Sequence, residues 1–524
     1  MQVADDEAAL DAEPEDFEDF PAGPQGLRNL SWWADLDYAE FLAGTRAATE
    51  VDVPLAYQTD VADARAAVLL ALEGAVRESA EEQHLWKLLT FMDRLLFATP
   101  PRKRGGVKHQ HPGGLSRVEA ALDRRIAHFW AGRWTELWRE VELAGARAGE
   151  PRAASSRRKT MLDGRRPGRS PEPARAARIG GLVEAGELSR AAAAVVQNQT
   201  VRTEPGTLGL LRALYPAAPE GDHATGVMLR SAILPAVRDK IASKVAAAIT
   251  SHPRRSGTGP ADSRFEHWAT LRDNPEGLDA AGTVLVRLLV GEAPRDAIEA
   301  HLGAVLVALP KRTGGIRPIA CGSVLRRLAA RAVCLAFAKE LGEASGGDGG
   351  GGHQCAVGTG GGVEKLQKIL AAEAEARPDA VILSLDFVNA FNSVLRSKVL
   401  EAVRKRLNDV LPVATTLCGH RARHWFFDAA GGNPVRSERG VDQGCPLSPA
   451  FFACAIADAL AALEAHLRES DPQARVLAYL DDVYIVTSAT AAPAALAAAG
   501  ARFEPLGLAL NRTKCHAWCP AGEA

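Results

Sequence analysis

The chain has 524 residues, enough for roughly three domains, and with 47% hydrophobic and 24% charged residues it can bury a sizeable core. Sixty-two basic residues against 64 acidic ones leave a net charge of −2, which excludes a globally basic nucleic-acid coat but not local basic patches. No run approaches the ~20 uninterrupted apolar residues of a membrane span, no charged-then-apolar leader opens the chain, and eight cysteines are too sparse for a disulfide scaffold. An intracellular protein without a membrane partner is expected.

Residues 1–26 read as a disordered acidic tail, because nine Asp and Glu residues precede the first basic one, Arg28. Residues 27–146 read as a helical region. Leu85, Leu88, Leu89, Met92, Leu95 and Leu96 recur at three- and four-residue steps and stop before Pro100-Pro101. Phe129, Trp130, Trp134, Leu137 and Trp138 form a second stripe, expected to be core rather than a base-stacking surface. Residues 147–178, rich in Arg with Ser, Gly and Pro between, read as a flexible linker that either binds phosphate or is simply solvated. Residues 179–252 read as a helical extension. The Gly-rich run 342–362 has no Lys-Thr or Lys-Ser to make it a P-loop and is expected to be a long flexible loop.

Four blocks in the C-terminal half carry chemistry. Pro310-Lys311-Arg-Thr-Gly-Gly315-Ile-Arg317-Pro-Ile319 predicts a hairpin that turns on Gly-Gly and presents Lys311 and Arg317 to phosphates. Residues 381–386 predict a buried strand ending on Asp386, a carboxylate rigidly placed to bind a metal; Asn389 and Asn392 then turn the chain. Arg439-Gly-Val-Asp-Gln443-Gly444-Cys-Pro-Leu-Ser-Pro449 predicts a shaped loop before a helix over 450–467. Residues 476–486 predict a tight hairpin with Asp481 and Asp482 at its tip, an arrangement that is costly unless a divalent cation or other positive charge offsets the paired carboxylates.

In this order, Asp386-Phe-Val-Asn-Ala-Phe-Asn-Ser393, Gln443-Gly-Cys-Pro-Leu-Ser-Pro449 and Tyr479-Leu-Asp-Asp482 resemble the reverse transcriptases (RNA-directed DNA polymerases) of retrotransposons without long terminal repeats (non-LTR). The late Gly507-Leu-Ala-Leu-Asn511-Arg-Thr-Lys514 supports the match, which covers about residues 253–520. The resemblance implies an α/β right-hand polymerase: fingers over 253–375, a palm over 376–524 with an antiparallel sheet and helices on one face, and a mostly helical N-terminal half. It implies that Asp386, Asp481 and Asp482 are catalytic and hold two Mg²⁺ ions, with Mn²⁺ as a substitute. Phe387, Phe391, Gln443, Gly444, Lys311, Arg317 and Lys514 would bind the nucleotide, Phe391 by rejecting a ribose 2′-hydroxyl. The implied partners are an RNA template, a DNA primer and deoxynucleoside triphosphates, and access to chromosomal DNA suggests the nucleus.

The match departs from the family at the end. The ten residues after Lys514 leave no room for a thumb, and no zinc knuckle follows; Cys418, His420 and His424, or Cys515, His516 and Cys519, are too few to hold zinc. Two other readings fit the same blocks: a thumbless inactive remnant that binds nucleic acid or another protein, and an RNA-dependent RNA polymerase.

Overall fold

The computed structural model of the chain describes residues 26–44, 46, 48–100, 116–149, 179, 180, 183, 204, 206–220, 222, 233–311, 314–347, 352–428 and 431–522. The acidic tail before residue 26, the loop 101–115, the Arg-rich segment after 149 and most of 179–205 lie outside the described residues.

The apolar spacing of the N-terminal half produces helices as expected. Helix α1 spans Gln58–Gly74 and α2 spans Ala80–Phe97. The Ser79 hydroxyl starts α2 by accepting the Glu82 N–H at 3.1 Å, satisfying one of the donors a helix start leaves free. All six residues of its predicted stripe are buried. The aromatics of α3 (Arg117–Ala131) and α4 (Trp134–Gly149) are also spent on the interior. Phe129, Trp134 and Leu137 are buried, and the Trp134 ring meets that of Trp33 edge-on at 5.6 Å.

Buried charge ties these helices to the residues beyond 252. Asp93 of α2 pairs with Arg65 of α1 and accepts a hydrogen bond from the Ser263 hydroxyl, while Arg94 pairs with Asp262 at 2.9 Å. One apolar cluster runs from Trp33 to Cys519. Between them lie the short helices α5 (Thr207–Ala213), α6 (Pro235–Ala242) and α7 (Val245–Thr250).

Two four-stranded sheets carry the remaining architecture. In the first, β1 (Ala304–Pro310) and β2 (Ile316–Gly322) form the predicted hairpin, turning on Gly314 and Gly315, both at positive φ. β1 is joined through one parallel pairing, Val305 with Trp425, to the hairpin of β4 (Ala422–Asp428) and β5 (Gly431–Ser437). The second sheet is antiparallel throughout, in the order β6 (Arg475–Tyr479), β7 (Asp482–Ser488), β3 (Ala380–Leu385), β8 (His516–Trp518). Helix α8 (Val324–Ala336) follows β2, α9 (Gly362–Ala376) precedes β3, and α10 (Arg396–Arg406), α11 (Ser448–Arg468) and α12 (Ala492–Phe503) lie further along the chain.

Two expectations are corrected. Helices cover both faces of the second sheet, because Ala380, Ile382 and Val486 pack against Leu370 and Ala374 of α9. The Gly-rich run is not simply a loop: the Cys355 N–H donates to the Ala478 carbonyl at 2.8 Å and the Ala478 N–H to the His353 carbonyl at 2.7 Å, so residues 353–355 flank the sheet beside β6. Helix α11 is long and apolar enough to cross a membrane by length and composition, yet 61% of its apolar window is buried inside the protein.

Candidate active site

Strand register assembles the acidic side of the site. β3 ends at Leu385, which pairs with Val483 of β7, so Asp386 emerges beside Asp482 at the same end of adjacent strands. Tyr479 pairs with Asp482, which leaves Leu480 and Asp481 as the two-residue turn. Leu480 sits at φ 56°, a left-handed conformation that a branched side chain rarely adopts. The side-chain carbonyl of Gln354 accepts the Leu480 N–H at 2.9 Å and holds the turn there.

The same backbone logic brings up the cationic side. Asn511 N–H donates to the Asp386 carbonyl and Lys514 N–H to the Asn511 carbonyl, both at 2.8 Å, which places the Lys514 segment against the end of β3. Lys311 and Arg317 stand exposed on the β1–β2 hairpin.

The charges feel one another. Burial holds the Asp481 carboxyl above the ordinary carboxylate range, and the neighbouring Asp482 and Asp386 charges push it further. Asp482 is raised by desolvation and by Asp386, with Arg317 opposing in both cases. The Lys311 ammonium is shifted down, first by desolvation and then by Lys514 and Arg317, while Asp386 and Asp481 pull it back. The three acids therefore act on one another and on Lys311 or Arg317, and Lys514 acts on Lys311.

The Gln443 loop closes the site from a third direction. Its residue Val441 donates to the Phe391 carbonyl at 2.8 Å, and the Ala320 N–H of β2 donates to the Gln443 carbonyl at 2.7 Å. Gly444 lies at φ 136°, and a Cβ there would come within 2.3 Å of the Ala320 carbonyl oxygen, so only glycine allows this approach. Gln443 is half-buried and Gly444 exposed.

The two phenylalanines of the predicted nucleotide site behave differently from the expectation. Phe387 is buried in the core, its ring edge-on to Phe503 at 4.9 Å. Strand alternation is the reason, since the residue after Asp386 points to the opposite face. Phe391 is only 8% exposed and stacks on Phe452 of α11 at 4.8 Å, with its ring planes 9° apart.

Sequence reasoning missed the groups that hold these pieces. Asp442, next to Gln443, is buried and accepts from His424 Nε2 at 2.8 Å and Arg326 at 3.0 Å. Burial opposes its charge, but His424, Arg326 and Arg396 outweigh that and keep its pKa far below the usual range. A lone acid in an apolar, Gly-rich loop was the available signal. Gln354 offered none. Cys418 is buried in the core and Cys519 Sγ faces the Pro378 carbonyl at 3.7 Å.

Among the described residues no three His, Cys, Asp or Glu side chains stand close enough to enclose an ion by themselves. The donor chemistry nevertheless fits. Asp386, Asp481 and Asp482 are hard oxygen donors, and burial first, then repulsion between the acids, raises the pKa of Asp481 and Asp482. Mg²⁺ normally completes its shell with water and substrate phosphate rather than with a full protein cage.

An antiparallel sheet with acids at one strand end and hairpin tip, faced by a basic hairpin and a Gln-Gly loop, defines the palm and fingers of a right-hand polymerase. Residues 309–523 match the family described as "Reverse transcriptase (RNA-dependent DNA polymerase)". A curated relative, the "Retrotransposable element SLACS 132 kDa protein" of Trypanosoma brucei gambiense, is 28% identical over 216 residues, 40% of this chain. The chain spans 17% of the length of that relative. Similar solved structures include telomerase from Candida albicans in complex with a TWJ fragment of telomeric RNA (12% identity, TM-score 0.35, 44% of each chain). Apo telomerase from Candida tropicalis is another (12%, TM-score 0.35, 54% of this chain and 62% of that one).

Proposed function

We propose that the chain is an RNA-directed DNA polymerase that extends a DNA primer on an RNA template with deoxynucleoside triphosphates. The observation that carries this reading is the opposition of Asp386, Asp481 and Asp482 to Lys311, Arg317 and Lys514. Each set repels itself, and a divalent cation chelated by a triphosphate is the ligand that relieves both. In the reaction the primer 3′-oxygen bonds to the α-phosphorus, its proton is lost to water, and the bond to pyrophosphate breaks. Lys311 and Arg317 orient the triphosphate and offset its charge, and Lys514 faces the departing pyrophosphate. Gln443 and Gly444 bound the nucleotide, and the Phe391 ring edge limits room at the sugar. Two Mg²⁺ ions, or Mn²⁺, would be held by Asp386, Asp481 and Asp482 together with phosphate oxygens and would favour the attacking and leaving oxygens.

Primer extension tests the reading. The purified full chain with Mg²⁺ should extend a DNA primer on RNA with deoxynucleotides, and Asp386→Asn or Asp481→Asn should each abolish extension while primer–template binding persists. Extension only with ribonucleotides would replace this reading with an RNA polymerase. Binding without any extension would replace it with an inactive binding protein.

A further inference from the structure

The short helix α5 (Thr207–Ala213) lies outside the matched 309–523 span, yet its C-terminal end touches three walls of the proposed nucleotide pocket. The Leu214 carbonyl accepts two side-chain amides, from Asn389 at 2.6 Å and from Asn392 at 2.9 Å. These asparagines bracket Phe391, and Asn389 itself is held at φ 51°. Tyr215 sets its ring edge-on to His424 at 5.3 Å, and His424 is the residue that bonds Asp442, the neighbour of Gln443. Leu211 and Tyr215 share an apolar cluster with Ala304, Leu306, Ala308, Ile316 and Ala320 of the β1–β2 hairpin, the hairpin that carries Lys311 and Arg317.

We propose that Leu214 and Tyr215 are positioning residues of the nucleotide pocket: they fix the Phe391 turn and the Asp442–Gly444 loop relative to the basic hairpin. Nucleotide affinity and sugar choice then depend on a segment outside the matched domain. The physical basis is that each wall reaches the pocket through a loop or turn, and loops keep their geometry only where other groups hold them. A carbonyl shared by two amides holds the turn after β3 from outside, and the Tyr215 ring leaves the His424 imidazole little freedom to release Asp442. This inference rests on the polymerase reading, so its test has one arm that needs activity and one that does not.

The experiment compares Tyr215→Ala, Tyr215→Leu and Tyr215→Phe with Leu211→Ala in the full chain. The Tyr215 hydroxyl has no partner among the described residues, so Tyr215→Phe should behave as wild type. Leu211 is equally enclosed in the same cluster and packs with the strands of the hairpin, without the links to the Phe391 turn or to His424 that Leu214 and Tyr215 make, so Leu211→Ala is the comparison for lost packing alone. Tyr215→Ala should raise the deoxynucleotide KM about tenfold with kcat within about threefold and should lower the deoxy-to-ribo incorporation ratio, the signature of lost positioning rather than lost chemistry. Tyr215→Leu, which keeps most of the buried volume, should do the same if Tyr215→Ala does not fold. Leu211→Ala should lower Tm without moving KM. If KM follows Tm equally in the Tyr215 and Leu211 variants, or does not change in Tyr215→Leu, the proposal is wrong. Hydrogen exchange supplies the activity-independent arm. The amides of residues 389–392 and 441–444 should exchange faster in Tyr215→Leu than in Leu211→Ala, and equal protection would overturn the proposal even if the wild-type chain extends no primer. A wild type without extension but with this exchange pattern would instead overturn the polymerase reading alone.

Discussion

The side-chain carbonyl of Gln354 accepts a hydrogen bond from the backbone N–H of Leu480 at 2.9 Å, across 126 residues of sequence. Gln354 is 1% exposed, and the same oxygen also accepts the Ala356 N–H at 3.2 Å. The acceptor holds Leu480 in its left-handed conformation and so fixes where Asp481 stands. Gln354→Leu keeps the bulk and deletes the acceptor, leaving a partly enclosed N–H unpaired at a cost of ~1–3 kcal/mol. Displacing a reacting group by about 1 Å costs roughly a hundredfold in rate. Gln354→Leu is therefore expected to lower kcat by about one to two orders of magnitude, with little change in deoxynucleotide KM. Single-turnover extension measures this, and an unchanged kcat would show that the turn stands without Gln354.

The raised pKa values of Asp481 and Asp482 carry a sign. A carboxyl that titrates higher in the folded chain than in the unfolded one binds its proton more tightly when folded. Its stabilising contribution is full below the ordinary carboxylate pKa, about 4, and is lost as pH rises through the folded value. Without divalent metal, Asp481→Asn should therefore match or exceed the wild-type Tm at pH 7.5 and lose that advantage at pH 4. Mg²⁺ should raise the wild-type Tm more at pH 7.5 than at pH 4, and should do so less in Asp481→Asn. Thermal melts at both pH values with Mg²⁺ or EDTA decide this; a Mg²⁺ effect independent of pH would contradict it.

Asp442 carries the opposite sign. Its pKa is depressed by His424, Arg326 and Arg396 against the cost of burial, so its contribution is present above the ordinary aspartate pKa and fades as pH falls toward the depressed one. Asp442→Ala removes the counter-charge from the buried Arg326, and breaking such a pair from one side costs ~3–5 kcal/mol. Denaturation at pH 7 should show a loss of that order, with the difference from wild type shrinking in acid. Extension should fall as well, because the Gln443 carbonyl and Gly444 lose the anchor beside them.

Phe391 offers a choice between packing and selection. Its ring stacks on Phe452 and is 8% exposed, so Phe391→Ala should cost ~3–5 kcal/mol as a core truncation. Phe391→Val is the milder substitution. If the exposed edge faces the sugar, Phe391→Val raises ribonucleotide incorporation relative to deoxynucleotide by roughly a hundredfold. Competitive incorporation assays beside melting curves separate the two effects, and a ratio equal to wild type despite a lowered Tm would leave Phe391 as a packing residue.

Local patterning was enough to read a buried strand leading into Asp386, the Gly314-Gly315 hairpin, a hairpin bearing Asp481 and Asp482 and the helix after Pro449, because each is written in a period of two or 3.6 residues with its own turn chemistry; the structure ends the strand one residue earlier, at Leu385, and turns on Leu480 and Asp481. The helical N-terminal stripes were legible for the same reason. Tertiary structure alone decided that Phe387 joins the core, that Asp442 is clamped by His424 and Arg326, and that residues 353–355 flank β6. It also decided that the Leu214 carbonyl holds asparagines 175 and 178 positions away. These are contacts between distant, non-periodic segments. A buried carbonyl or amide takes whichever partner chain closure delivers, and a residue's own neighbours in sequence do not encode which one that is.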